Sequence, residues 1–324
     1  MWKRLEARLW AGRKWTSWGR MVLNTTASRF LLTGFPGMEK AHHWISIPLL
    51  MVYVSILLGS GTLLFLTRDY HNLHEPMYCF LAMLAATNLG VTLTMMLTVW
   101  GILWLNHREI RHRACFSQAY FIHTLSIIES GVLLAVAYDG FTAICNPLRY
   151  TSILTNSGVI KIGMEVLTRA GPSITPIILL LPWFPYCWSH ILSHAFCLHQ
   201  DVINLPCANV IFNCLYPVVV VFAMVLLDFL VIFFSSILIL KTVVGIASGE
   251  GRAKDLNAPA ASWYSMSLSL VWHLFIGLED MVHIMMSHIY FLFPPFMNRV
   301  TYSIKTKQIQ TGIIHFYSLF HSRA

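Results

Sequence analysis

Seven long apolar stretches account for most of the chain, and short polar stretches separate them. They run Ile45 to Leu66, Met77 to Leu105, Cys115 to Tyr138, Gly158 to Pro182, Val210 to Leu240, Ala258 to Leu278 and Met281 to Tyr302. A bilayer-crossing helix needs about 20 predominantly apolar residues, and each run is that long. The first, second and sixth carry no charge. Glu129 interrupts the third, Asp228 the fifth and Arg299 the seventh. The fourth is the weakest, with Lys161, Glu165 and Arg169 in its first half. The residue-by-residue alternation of a membrane barrel is missing. The pattern therefore predicts an all-α membrane protein, a bundle of seven transmembrane helices. Its parts are an N-terminal segment at 1–44, the bundle at 45–302 and a C-terminal tail at 303–324. The longest connection, Trp183 to Asn209, lies between spans four and five and is too short for a second globular domain.

Composition narrows the choice. Of 324 residues, 56% are hydrophobic and only 11% charged, against about 25% charged in ordinary soluble domains. So few charges cannot cover a soluble globule of this size, and so much apolar surface excludes disorder. The net charge of +8 does not point to nucleic acid, because the basic residues sit in small groups between apolar runs. They suit loops beside lipid headgroups instead. No metal-ligand spacing, phosphate loop or nucleophile motif is present, so neither catalysis nor a cofactor is expected.

Orientation follows from Lys and Arg in the short loops. With the N-terminus outside, the inner loops and tail hold nine such residues and the outer segments eleven. Six of the eleven precede Met21; without them the outer count is five, and the positive-inside rule is obeyed. Two readings follow: residues 1–20 are a basic tail, or the native chain starts at Met21. An outside N-terminus also suits Asn24-Thr25-Thr26, the one N-glycosylation acceptor in the sequence.

Four cysteines fall on the outer side: Cys115 at the start of span three, and Cys187, Cys197 and Cys207 in the long loop. Four cysteines allow three pairings. Joining Cys115 to Cys197 and Cys187 to Cys207 pins the middle of the loop to the bundle and closes a hairpin around it, in a compartment oxidising enough to keep both bridges. Cys79, Cys145 and Cys214 read as buried thiols.

Two motifs are more specific than composition. Leu73-His74-Glu75-Pro76-Met77-Tyr78 enters span two, and Ala143-Ile144-Cys145-Asn146-Pro147-Leu148-Arg149-Tyr150 leaves span three. With Phe293-Pro294-Pro295, Tyr302-Ser303 and Lys305-Thr306-Lys307-Gln308-Ile309, they resemble the odorant receptors, a group of rhodopsin-like G-protein-coupled receptors. Gly34-Phe35-Pro36-Gly37 is similar to the class I, fish-like branch. The resemblance runs from about Met21 to Ile314. It implies an odorant pocket in the outer half of the bundle and a G-protein face inside. It also implies signalling through a stimulatory olfactory G protein in the plasma membrane of olfactory sensory neurons. His123, two turns inward of Cys115, and Gln200, three residues beyond Cys197, match positions that line the class I pocket, whereas Phe116, Tyr120 and Leu125 read as packing. A small, mostly apolar pocket of about 300 Å3 is expected. Glu129 and Asp228 stand where the family carries acids. A lone intramembrane acid is a functional candidate, and a hydrogen bond from Asn88 to Glu129 is expected across spans two and three.

The chain departs from this family where such receptors switch. The Asp-Arg-Tyr of the family is Asp139-Gly140-Phe141 here, so the arginine that meets the G protein is absent. The span-two aspartate is Asn88 and the inner tyrosine of span five is Ser236. Asn298-Arg299 replaces the Asn-Pro of span seven, removing a helix-kinking proline. Gly59-Ser60 and Lys254-Asp255-Leu256-Asn257-Ala258-Pro259 are altered too, and only Glu279-Asp280 joins spans six and seven. The leading reading is an odorant receptor. One rival is the same fold with little or no G-protein output. Another is a small-solute transporter or channel, which would want inverted repeats that this sequence lacks.

Overall fold

A computed structural model describes residues 29–34, 42–69, 76–186, 190–246 and 292–293. Five long helices dominate: α1 (His42–Asp69), α2 (Pro76–Leu105), α3 (His112–Cys145), α4 (Asn156–Leu180) and α5 (Ile211–Ile246). They coincide with the first five apolar runs, with ends that differ by up to about seven residues. Among the described residues, four helices are long and apolar enough to cross a membrane, ending at Asp69, Leu105, Cys145 and Trp183. α5 carries two shorter apolar stretches, Ile211–Val220 and Leu226–Leu238. Spans six and seven lie outside the described residues, apart from 292–293.

α1, α2, α3 and α5 are predominantly apolar, as lipid-embedded helices are, whereas α4 exposes Lys161 and Glu165. Large side chains such as Met51, Leu97 and Leu105 face outward, while Ile56, Phe80, Met95, Ile122 and Leu133 are fully buried. α3 is the hub: it packs against α2, α4 and α5, and α1 packs on α2. Glycine lets α2 and α3 approach closely, because a Cβ at Gly90 would stand 2.8 Å from Leu125 Cδ1. Between α3 and α4 the chain turns through Pro147–Arg149 and one helical turn, Tyr150–Ile153. Asn146 precedes a proline and leaves the α region, which ends α3. Thr155 then caps α4 by accepting a bond from Gly158 N at 3.2 Å.

At one end of the bundle three distant segments form a small sheet: β1 (Arg29–Leu32), β2 (Glu109–Arg111) and β3 (Ile191–Leu192). β1 lies in the middle, antiparallel to β2 and parallel to β3. Its alternation puts Phe30 and Leu32 inward, while Arg29 and Leu31 face out. Phe30 is 1% exposed; it stacks on His112 at 4.0 Å and meets Tyr186 edge-on at 5.3 Å. The N-terminal segment, the first outer loop and the long loop thus share one face of the molecule.

Candidate functional site

The outer site begins with the bridge between Cys115 on α3 and Cys197 in the long loop. Both are fully buried. Gln118, one turn further along α3, reinforces it. Its Nε2 donates to Thr94 O at 2.7 Å and to Thr98 Oγ1 at 2.9 Å, and its Oε1 accepts from Cys197 N at 2.9 Å. One amide therefore ties α2, α3 and the loop together. Cys207 is also disulfide-bonded; Cys187 lies outside the described residues. Cys79, Cys145 and Cys214 stay outside any disulfide, and they are half-buried rather than buried as expected, Cys79 and Cys214 packing against the margin of the core.

Beyond Cys197 the loop makes a helical turn, His199–Val202, directly over α3. His199 N donates to His123 Nε2 at 3.4 Å, and the two rings stand edge to face at 6.5 Å. Burial, with the charge of His123 as a smaller contribution, lowers the His199 imidazole to a pKa of about 3. Gln200 lies next in the chain. Its carbonyl accepts from Asn204 Nδ2 at 2.8 Å, while its side-chain Oε1 is buried with no hydrogen-bond partner among the described residues. His194 Nδ1 pairs with Asp201 on the same turn. His123 and Gln200 therefore sit in the same region, where the loop turn meets α3. His199 joins them; the sequence reading passed over it, although it stands between Cys197 and Gln200.

At the bundle's centre the structure corrects two expectations. Asp228 is not a lone acid. Arg169 Nη1 and Nη2 donate to its two oxygens at 2.8 and 2.7 Å, and Ser130 Oγ donates to Oδ2 at 2.5 Å. Asp228 is 1% exposed, and α3, α4 and α5 meet around it. Gly131 makes the space: a Cβ there would lie 3.3 Å from Arg169 Nη2 and 2.9 Å from Val166. An unpaired charge at a span's centre costs about 2.5–3.5 kcal/mol, so a two-pronged pair is the arrangement that lets both charges stay. The expected Asn88–Glu129 hydrogen bond is not formed. The α2–α3 register, set by Gln118 against Thr94 and Thr98, levels Asn88 with the turn before Glu129. Among the described residues Asn88 Oδ1 is buried without a partner.

At the opposite end of α3, Asp139 is buried, and Tyr150 Oη donates to its Oδ1 at 2.9 Å. Among the described residues a Cβ at Gly140 would meet nothing within 4 Å. Arg149 is exposed, and Ser236 Oγ turns back to Ile232 O at 2.7 Å within its own helix. Asn24 and Arg299 lie outside the described residues. Among the described residues no group of three or more His, Cys, Asp or Glu side chains is placed to hold a metal ion.

A bundle of lipid-facing helices, closed at one end by a disulfide-held loop, is a multi-pass membrane fold. The profile of the olfactory receptor family matches residues 49–319, and the chain belongs to that family. It is similar to human olfactory receptor 51B6, 69% identical over 312 residues, covering 94% of this chain and 100% of that protein. It is also similar to human olfactory receptor 51B5, 60% identical over 89% of this chain and 95% of that protein. Human olfactory receptor 51B2 is 59% identical over 91% of this chain and 97% of that protein. The chain is therefore an odorant receptor of the class I branch, a seven-transmembrane G-protein-coupled receptor and not an enzyme, placed as a multi-pass protein in the plasma membrane.

Proposed function

We propose that the odorant binds in the outer half of the bundle beneath the long loop, with His123 and Gln200 among the residues that contact it. The observation that carries this reading is the outer stitch. Cys115–Cys197 and Gln118 fix the loop to α3, and His199 N bonds His123, so the turn bearing Gln200 is held over the bundle. The unpartnered Oε1 of Gln200 is an acceptor that a ligand hydroxyl would satisfy. The test is an odorant panel on surface-expressed chain. An active odorant should lose about 10-fold or more in apparent affinity with His123→Ala or Gln200→Ala, at unchanged surface level. Unaltered responses in both variants would place the site elsewhere.

The inner face is the surface for a stimulatory G protein, and its output is weak. Two observations favour low output. Gly140 offers no cation, and Asp139 is engaged by Tyr150 instead of an arginine neighbour. Cyclic AMP, measured against empty vector at matched surface expression, tests it; a robust signal from the unmodified chain would count against this reading. The proposed layout keeps 1–44 outside with a sugar on Asn24, and 303–324 inside. A glycosidase shift that persists in Asn24→Gln would refute the sugar.

A further inference from the structure

We infer that Arg169 and Asp228 form an assembly checkpoint. The chain becomes a transportable bundle only when spans four and five meet and neutralise each other's charge. Arg169 lies near the middle of Asn156–Leu180, and Asp228 near the middle of Ile211–Ile246, so neither is close to a helix end from which to snorkel. α4 is the least apolar of the four spans. The partners are 59 residues apart, on helices that are made one after the other. Until α5 packs, Arg169 has the Ser130 side of α3, lipid and the exposed Glu165 one turn back on its own helix, and no buried carboxylate to close on. Once α5 arrives, both guanidinium prongs and the serine hydroxyl close on one carboxylate.

The rest of the seam supports a site built for this pair. Gly131 leaves room for the guanidinium. Ser173 Oγ reaches Met224 Sδ at 3.8 Å, and Asn213 Nδ2 donates to Ile177 O at 2.9 Å, so further α4–α5 contacts flank it. In such a pair the penalty falls on the unmatched charge more than on the loss of the pair itself. The consequence is an unusual mutational signature: two wrongs should mend each other.

The experiment uses the full chain with an N-terminal tag, with surface staining divided by total chain. Arg169→Gln and Asp228→Asn should each lower that ratio about 10-fold. The double variant carrying both should return it to within about twofold of the unmodified chain. Thermal midpoints of the detergent-solubilised chain should follow the same order, which separates assembly from trafficking signals. Single variants at the unmodified level would overturn the inference. So would a double variant no better than its worse parent, because the pair would then act as an irreplaceable structural bond.

Discussion

Gln118 uses its whole amide in one place, with two donated bonds and one accepted. Gln118→Leu keeps much of the volume but strands Cys197 N in a buried site. We expect a loss of about 1–3 kcal/mol in the outer loop, read as faster amide exchange over 190–203. His199 gives a pH prediction. Its folded pKa of about 3 lies below the ordinary 6.5, so the open loop binds the proton that the closed loop refuses. The closed loop is therefore fully favoured above pH 6.5 and loses stability as pH falls toward 3, by at most about 1.4 kcal/mol per unit. Protection factors at the loop, with the intrinsic exchange rate at each pH divided out, should fall between pH 7 and 5, and His199→Phe should flatten that fall; an equal fall in the variant would remove His199 as its cause. Gln118 was half legible, since it follows Cys115 by one helical turn. What it bonds depends on how α2 packs, and no local spacing carries that.

Helix by helix, the apolar runs announced α1 to α5, because lipid demands a length that few other segments have. The charged face of α4 was visible as Lys161, Glu165 and Arg169 at fourfold spacing. Its partner was not, because Asp228 belongs to another helix and pairing across 59 residues leaves no periodic trace. The outer sheet was illegible for a different reason. Strands of four, three and two residues are too short to show alternation. Their stability comes from what Phe30 covers. Phe30→Ala should cost about 3–5 kcal/mol locally, by emptying the space against His112 and Tyr186. Amide exchange at 109–111 and 191–192 should rise together, since both edge strands pair with the same central one; protection lost on one edge alone would contradict that.

Across the whole molecule, seven-helix topology followed from counting spans, and the receptor class from two motifs at the inner helix ends. Output is a property of the assembly. Among the described residues a Cβ at Gly140 meets no neighbour, so Gly140→Arg begins without a clash, and on the proposed reading it changes one of three inner positions. We expect no recovery of odorant-driven cyclic AMP from that change alone. On the proposed weak output, the best recovery should come from combining it with Ser236→Tyr and Arg299→Pro; recovery by the single change would trace that proposed loss to one residue. The outer sheet has a consequence of another kind. Its outward face gathers Arg29 and Leu31 from the N-terminal segment, Glu109 and Arg111 from the first outer loop, and Ile191 from the long loop. Arg29 and Glu109 are joined there by a 2.6 Å ion pair. No linear peptide contains this patch. An antibody selected on it would bind only chains whose three segments have come together, and would count correctly folded receptors on living cells.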